Sequence, residues 1–136
     1  YRQSSFKKDD ILLSAKFNLK KADKDLIKEN FIEAQSGRIK SQPLNKKSAG
    51  SLFKNPKDKS AGKLLDDAGL KGFCIGDAKI SEKHANFFIN DGDASSGDML
   101  MLIQKAHKLV KEKFDVNLSL EVKLMGFNED EIEGLC

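Results

Sequence analysis

Apolar and polar residues alternate in two stretches that lie near opposite ends of the chain. The first extends from Ile11 to Leu19, and the second extends from Val116 to Phe127, with Glu121 on its polar side. A period of two places successive side chains on opposite faces of a strand, so each stretch is predicted to form a half-buried strand.

Two helices are predicted in the first half of the chain. Asp23 is expected to cap a helix that runs to about Lys40 and carries a loose apolar stripe. Ser60 is expected to cap a short helix that stops near Gly69, a residue type that commonly follows helix ends.

Strand-like runs occur at 73–75 and 86–90, and a long helix follows them. Ser95 and Asp98 resemble a capping box at its start. Its apolar stripe recurs every three or four residues: Met99, Leu102, Ile103, His107, Val110 and Phe114. Interleaved helices and strands without parallel βαβ repetition predict an α+β fold with a mostly antiparallel sheet covered by helices.

The segment from Ser41 to Lys59 contains both prolines and is predicted to be an irregular loop that carries ligand contacts. Gly50 allows close backbone approach, and Ser51 offers a hydroxyl donor and acceptor. Asn55 precedes a proline and is therefore pushed toward an extended conformation. A capped loop between helices is the alternative interpretation of the same residues.

Composition limits the possible functions. The 136 residues fit one domain, and 24 basic against 21 acidic residues, mixed along the chain, give little support to nucleic-acid binding. No apolar run reaches the ~18 residues of a membrane span and no signal peptide is evident, so a cytoplasmic location is expected. Cys74 and Cys136 suggest reduced thiols, and His84 and His107 lack companion ligands, so no metal is expected.

Seven segments together carry a family resemblance. They are Tyr1-Arg2 with Ser4, Arg38 before Gln42-Pro43, SAGSLFKNP at 48–56, AGKLL at 61–65, GLKG at 69–72, SEKHANF at 81–87, and LSLEV at 118–122. In this order and spacing they resemble the C-terminal part of the UDP-N-acetylenolpyruvoylglucosamine reductases, the MurB family.

The resemblance implies a domain division. Residues 1–20 would be the tail end of a preceding FAD-type domain, 21–127 the substrate-binding C-terminal domain, and 128–136 an acidic tail, of which Asn128 to Glu133 is expected to be mobile. Nothing in the chain resembles the family's N-terminal FAD-binding region, and Tyr1 opens it without a methionine. We therefore expect a fragment of a longer enzyme, inactive alone and without bound cofactor.

The resemblance also implies a reaction and two catalytic residues. The family uses NADPH to reduce FAD and then reduces UDP-N-acetylglucosamine enolpyruvate to UDP-N-acetylmuramate, a peptidoglycan precursor. Ser51 matches the serine that donates a proton to the substrate carbon. Glu121 matches the glutamate that stabilises or protonates the enolic intermediate.

Substrate-binding residues follow from the same resemblance. Asn55 matches a substrate-contacting asparagine, and Tyr1 matches a tyrosine at the uridine diphosphate. Lys123 lies where the family often has an arginine, and a lysine supplies charge but no bidentate fork. Arg38 or Lys40 would meet the diphosphate, and the sequence does not decide between them.

Two motifs depart from the family pattern. LSLE at 118–121 replaces a common Leu-Glu-Pro-Glu, and Gly76-Asp77-Ala78 replaces Gly-Gly-Ala. The alternative function is a non-catalytic module that binds a nucleotide sugar. Such a module has no need of both Ser51 and Glu121, so the reductase hypothesis is preferred.

Overall fold

The computed structural model describes residues 4–7 and 9–135. Within them the chain forms three helices and a four-stranded sheet, followed by one short 3₁₀ turn. In chain order the elements are α1 (Lys24–Ser41), β1 (Lys47–Ser51), α2 (Ala61–Asp67), β2 (Cys74–Ile75), β3 (Ala78–Ile80), β4 (Phe87–Asn90), α3 (Ser96–Phe114) and the 3₁₀ turn Glu129–Glu131.

The sheet has the order β1-β4-β3-β2, and each pair of neighbours is antiparallel. Ser48 pairs with Ile89, Ile80 pairs with Phe88, and Ile75 pairs with Ala78. The predicted α+β class with an antiparallel sheet is confirmed. Strand β1 forms one edge of this sheet, and its outer side is where the candidate site lies.

The core lies between the sheet and α3, which contacts β2, β3 and α2. The apolar stripe of α3 buries Leu102, Ile103 and Val110 in it. The rings of Phe53 and Phe88 meet edge to face at 6.0 Å, an arrangement favoured between aromatic rings. Burial of this apolar surface is the main force that holds α3 on the sheet.

The predicted helix starts are confirmed. Ser95 Oγ accepts the N–H of Asp98 at 3.0 Å, and the Asp98 carboxylate accepts the N–H of Ser95 at 2.9 Å. Ser60 Oγ accepts the N–H of Lys63 at 3.3 Å, and Asp23 accepts the N–H of Asp25 at 3.0 Å. These side chains satisfy backbone donors that a helix leaves unpaired at its first turn.

Helix α1 buries none of its residues. Its predicted apolar stripe is between 51% and 60% exposed and consists of Leu26, Ile27, Phe31, Ile32 and Ile39. At its end, Lys83 Nζ donates a 3.0 Å hydrogen bond to the carbonyl of Ile39. None of the helices in the described residues has the length and apolar character that crossing a membrane requires.

One strand prediction and one loop prediction are corrected. Residues 9–22 form no strand, and Leu13 is 91% exposed, because no strand among the described residues lies beside this segment. The segment 41–59 is not wholly irregular, since β1 occupies Lys47–Ser51. Strand β3 was not predicted because it has only three residues.

The second alternating stretch is extended but is not a full strand. Its burial alternates as predicted, with Leu118 and Leu120 buried and Glu121 exposed. Its link to the sheet is an isolated antiparallel bridge between Phe53 and Leu120.

The expectation that residues 128–133 are mobile stays a prediction, but the residues around them contact the core. Leu135 is only 3% exposed and belongs to the core. Gln104 Nε2 of α3 donates a 2.8 Å hydrogen bond to the carbonyl of Glu131. An apolar anchor therefore lies beside a segment whose composition alone suggested solvation.

Candidate functional site

The site begins at the end of β1, where the strand is irregular. The pairing register with β4 shifts between Ser48 and Ser51, and Gly50 has a φ of +89°, which glycine adopts readily and other residues rarely do. Ser48 Oγ accepts the N–H of Gly50 at 3.2 Å. Such irregularities re-aim side chains at sheet edges, and here the half-buried Ser51 follows directly.

Asn86 holds the two residues that follow Ser51. Its backbone carbonyl accepts the N–H of Leu52 at 2.8 Å. Its side-chain oxygen accepts the N–H of Phe53 at 2.9 Å, and its side-chain nitrogen donates to the carbonyl of Phe53 at 2.8 Å. Asn86 is 3% exposed, so these bonds satisfy polar groups that burial would otherwise leave unpaired.

The segment that carries Glu121 pairs with Leu52 and Lys54, on the side of this stretch opposite to Asn86. The Glu121 N–H donates to the carbonyl of Leu52 at 2.8 Å, and the Lys54 N–H donates to the carbonyl of Ser119 at 2.8 Å. Ser51 and Glu121, which are far apart in sequence, therefore lie on neighbouring extended segments. Because Leu118 and Leu120 turn into the core, Glu121 is left on the exposed side.

A cleft of about 330 Å³ opens beside these segments, and its lining includes neighbours of Ser51 and Glu121 but neither of these two residues. One wall consists of residues 47–50 of β1, the other consists of residues 122–124, and Met99 and Ile103 of α3 also line it. Most of this lining is apolar, and the exposed residues Lys47 and Lys123 are among those that border it. The cleft can therefore accept a ligand that combines an apolar part with negative charge.

The remaining predicted residues are more dispersed. Asn55 is exposed, and its side-chain oxygen accepts the N–H of Ala61 at the start of α2 at 3.0 Å. Arg38 and Lys40 are exposed in the last turn of α1, and Arg38 borders a separate cleft of about 160 Å³. The structure does not bring these three residues to the cleft beside β1. Tyr1 lies outside the described residues.

Both histidines are half-buried. Desolvation is the main cause of the lowered pKa of His107, and the nearby charge of Lys111 lowers this pKa further. The His107 ring lies 6.5 Å from the ring of Phe53, as expected of a histidine packed on the core. Burial likewise lowers the pKa of His84, with a smaller contribution from Lys71. Among the described residues, no cluster of three or more His, Cys, Asp or Glu side chains could hold a metal ion.

Sequence reasoning missed Asn86. The sequence pattern places Asn86 at the start of a strand-like run and assigns it no role. The available signal was a polar amide at the head of the apolar run Phe87-Phe88-Ile89, a position that becomes buried. Its partner Phe53 is distant in sequence, so the pairing could not be inferred from local pattern.

Comparisons with known proteins agree on one family. The family model for the C-terminal domain of UDP-N-acetylenolpyruvoylglucosamine reductase matches residues 42–125. The chain is 47% identical over 116 residues to the UDP-N-acetylenolpyruvoylglucosamine reductase of Agathobacter rectalis, covering 85% of this chain. It is also 47% identical over 127 residues to that of Caldanaerobacter subterraneus subsp. tengcongensis, covering 93% of this chain.

A solved structure gives the same result. The chain is similar to UDP-N-acetylenolpyruvylglucosamine reductase (MurB) from Thermus caldophilus with a TM-score of 0.65 and 42% identity, over 78% of this chain. The match spans 37% of that protein, and the matches to the two curated relatives span 37% and 42% of their lengths. The chain therefore belongs to the UDP-N-acetylenolpyruvoylglucosamine reductase (MurB) family and covers its C-terminal part.

Proposed function

We propose that this chain is the substrate-binding part of a longer NADPH- and FAD-dependent reductase. The longer protein would reduce UDP-N-acetylglucosamine enolpyruvate to UDP-N-acetylmuramate, a step of peptidoglycan precursor synthesis in the cytoplasm. Family membership and the names of its relatives support this proposal. The fraction of those relatives that the chain spans supports its being a fragment, with the FAD-binding domain of the same polypeptide as its partner.

The residues described here do not fit FAD by themselves. The cleft beside β1 measures about 330 Å³, and another cleft, lined by Ile39, Gln42, Leu44, Asn45 and Lys83, measures about 380 Å³. Both lie near the lower limit of small-molecule sites, roughly 300–1,000 Å³, whereas FAD is a large dinucleotide. We therefore assign FAD to the longer protein, where it would supply hydride to the substrate double bond.

Ser51 is proposed to supply the proton that completes the reduction. Addition of hydride to one carbon of the enolpyruvyl double bond leaves the electron pair on the other, beside the carboxylate. A serine hydroxyl is a weak acid, but such a carbanion-like centre is basic enough to take its proton when the two are held in contact. The half-buried position of Ser51 at the end of β1 suits a fixed donor.

Glu121 is proposed to act on the same intermediate from the neighbouring segment. Its carboxyl group would stabilise or protonate the enolic form of the substrate carboxylate. The observation that carries the proposal is the 2.8 Å hydrogen bond from the Glu121 N–H to the carbonyl of Leu52, the residue after Ser51. This bond sets the segments that bear the two groups side by side.

Binding of the anionic substrate is proposed to involve the other predicted residues. Lys123 lines the cleft beside β1, where its ammonium group would attract negative charge. The Asn55 side-chain oxygen is bonded to α2, so its amide nitrogen would be the group that contacts substrate. Tyr1 and one of Arg38 and Lys40 would contact the diphosphate end once the rest of the protein is in place.

The test separates the two half-reactions in the longer protein. In the Ser51→Ala variant, flavin reduction by NADPH should proceed normally, whereas reoxidation by the enolpyruvyl substrate should slow by about 10²–10⁴-fold, the usual contribution of a positioned acid. Ser96→Ala, at the exposed first residue of α3, is the matched control. An unchanged rate of reoxidation in Ser51→Ala would remove Ser51 from the mechanism. Binding of the UDP-sugar without any turnover in the unmodified protein would favour the non-catalytic module instead.

A further inference from the structure

We propose that Asn86 is a positioning residue that fixes Ser51 relative to Glu121. This inference rests on the proposed function of Ser51 as the proton donor. Asn86 would act through the backbone of Leu52 and Phe53, without touching the reacting atoms.

The hydrogen bonds of these two residues carry the inference. Leu52 and Phe53 are both buried, and each of their backbone N–H and C=O groups has a partner. Asn86 supplies three of the four partners, and the N–H of Glu121 supplies the fourth. A single asparagine and the predicted catalytic glutamate therefore hold the same short stretch, from opposite sides.

The Asn86 side chain takes the place of a strand backbone. The last Cα pair between β1 and β4 joins Ser51 to Phe87, so regular pairing ends at the serine. Beyond it, the amide group of Asn86 offers one acceptor and one donor, as a peptide unit does, and pairs with both backbone groups of Phe53. The backbone of Phe53 therefore has the hydrogen bonds that a continued β4 would have supplied.

Proton transfer is sensitive to such positioning. A misplacement of about 1 Å at a reacting group can lower a rate about 10²-fold. If the backbone after Ser51 shifts, the hydroxyl of Ser51 moves, and the segment bonded to Leu52 moves with it. Loss of the Asn86 amide is therefore expected to slow the proton step by more than its effect on stability alone would explain.

Asparagine is suited to this position because it combines a donor and an acceptor in one plane. Aspartate has nearly the same shape, but its ionised carboxylate only accepts hydrogen bonds and would face the carbonyl oxygen of Phe53, so the variant is assayed at a pH where this carboxyl group is ionised. Asn86→Asp thus removes one hydrogen bond and adds a repulsion with little change in volume. Alanine would instead leave both backbone groups of Phe53 unpaired.

The experiment compares Asn86→Asp with Ser51→Ala and a stability control in the longer, flavin-bound protein. The control is a core variant, Ile80→Ala, because Ile80 is fully buried in β3 and β3 is separated from β1 by β4. We expect Asn86→Asp to leave flavin reduction by NADPH unchanged and to slow reoxidation by the enolpyruvyl substrate at least about 10-fold, with a larger solvent deuterium isotope effect. The affinity for UDP-N-acetylmuramate should stay within about threefold of the unmodified protein, since Asn86 is not a binding group.

Three results of this comparison would overturn the inference. One is an Asn86→Asp variant that is reoxidised at the normal rate while Ser51→Ala is slow. A second is an Asn86→Asp variant whose isotope effect is unchanged and whose reoxidation rate falls no more than that of Ile80→Ala. This result would indicate a purely structural role. A third is an unaffected Ser51→Ala variant, which would overturn the proposed proton donor and this inference with it.

A measurement on the unmodified protein covers the case in which Asn86→Asp does not fold. If Asn86 holds the chain, the Phe53 amide should exchange with solvent as slowly as the amides of β4, whose backbone pairs with β1 and β3. Exchange of the Phe53 amide at the rate of an open loop would overturn the inference.

Discussion

The backbone N–H of Glu121 donates a hydrogen bond of 2.8 Å to the carbonyl oxygen of Leu52. This contact joins the extended segment near the end of the chain to Leu52, the residue that follows Ser51 at the end of β1. The two residues that the family resemblance marks as catalytic thus occupy neighbouring segments. The fold thus brings together two segments that are far apart in the sequence.

Gly50→Ala should lower stability and slow the reaction. Gly50 has a φ of +89°, where an L side chain is strained, although an added Cβ would meet no atom within 4 Å. We expect a loss of about 1–2 kcal/mol in the free energy of unfolding, from backbone strain alone. Substrate-dependent reoxidation of the flavin should also slow, since Ser51 is the next residue.

The matched control for this change is Gly37→Ala. Gly37 lies within α1 and also has open space around it, but its backbone is helical. Alanine should therefore stabilise the helix by about 0.5–1 kcal/mol. Equal effects of the two changes in thermal unfolding would contradict the account of the irregular end of β1.

Leu135→Ala should destabilise the protein although it lies near the end of the chain. The Leu135 side chain is buried in the core, so we expect a loss of about 2–5 kcal/mol in denaturant unfolding. Met125→Ala, at an exposed side chain, should change the free energy of unfolding by less than about 0.5 kcal/mol. A Leu135→Ala variant as stable as Met125→Ala would show that the acidic end is not anchored.

Phe31→Gln tests whether α1 meets another part of a longer protein. Phe31 is one of five exposed large apolar side chains that are spread around α1, and a group of exposed apolar side chains usually marks an interface. In the isolated chain the substitution should change stability by less than about 0.5 kcal/mol. In the longer protein we expect a loss of about 1–3 kcal/mol, because a partner surface would bury the ring.

The control for this test is Glu33→Gln on the same helix, which should be nearly neutral in both proteins. Thermal unfolding followed by circular dichroism measures both variants in the isolated chain and in the longer protein. Equal effects of Phe31→Gln in the two proteins would contradict the assignment of the α1 stripe to a domain interface.

Stability should fall as the pH drops below about 6.5. Burial lowers the pKa of both His84 and His107 from an ordinary value of 6.5, so the folded state binds protons less readily than the unfolded chain. The contribution of each neutral histidine is thus complete above pH 6.5 and is lost as the pH falls through the pKa of the folded state. Between pH 7 and 5 the free energy of unfolding should decline.

Replacing both histidines by glutamine isolates this effect. The pKa of Asp98 is lowered from 3.8 by hydrogen bonds from the backbone and hydroxyl of Ser95, so its contribution is lost only at more acidic pH. The double variant should show a flat stability profile between pH 7 and 5 in urea titrations. A decline of the same slope in the double variant would assign the pH dependence to other groups.

Local signals in the sequence were sufficient for the helices. Ser95 and Asp98 are three residues apart and bond to each other, so their capping box is readable without knowledge of the fold. The alternation around Leu120 correctly gave its buried side. A full strand did not form there, because the pairing partner is the short stretch that contains Phe53.

Long-range pairing explains what the sequence did not show. Residues 11–19 alternate like a strand, yet no strand lies beside them among the described residues. Strand β1 was hidden in a segment rich in small and polar residues, which become a strand only because β4 pairs with them. The role of Asn86 likewise depends on Phe53, which no local pattern links to it.

The most direct test of the central claim is a crystal structure of the longer protein with FAD and UDP-N-acetylglucosamine enolpyruvate bound. The account predicts that the Ser51 hydroxyl lies within about 3.5 Å of the substrate carbon that is to be protonated. It also predicts that the Glu121 carboxyl group lies within hydrogen-bonding distance of the enolpyruvyl group, about 2.6–3.2 Å. An enolpyruvyl group bound away from β1, with neither Ser51 nor Glu121 in reach, would contradict it.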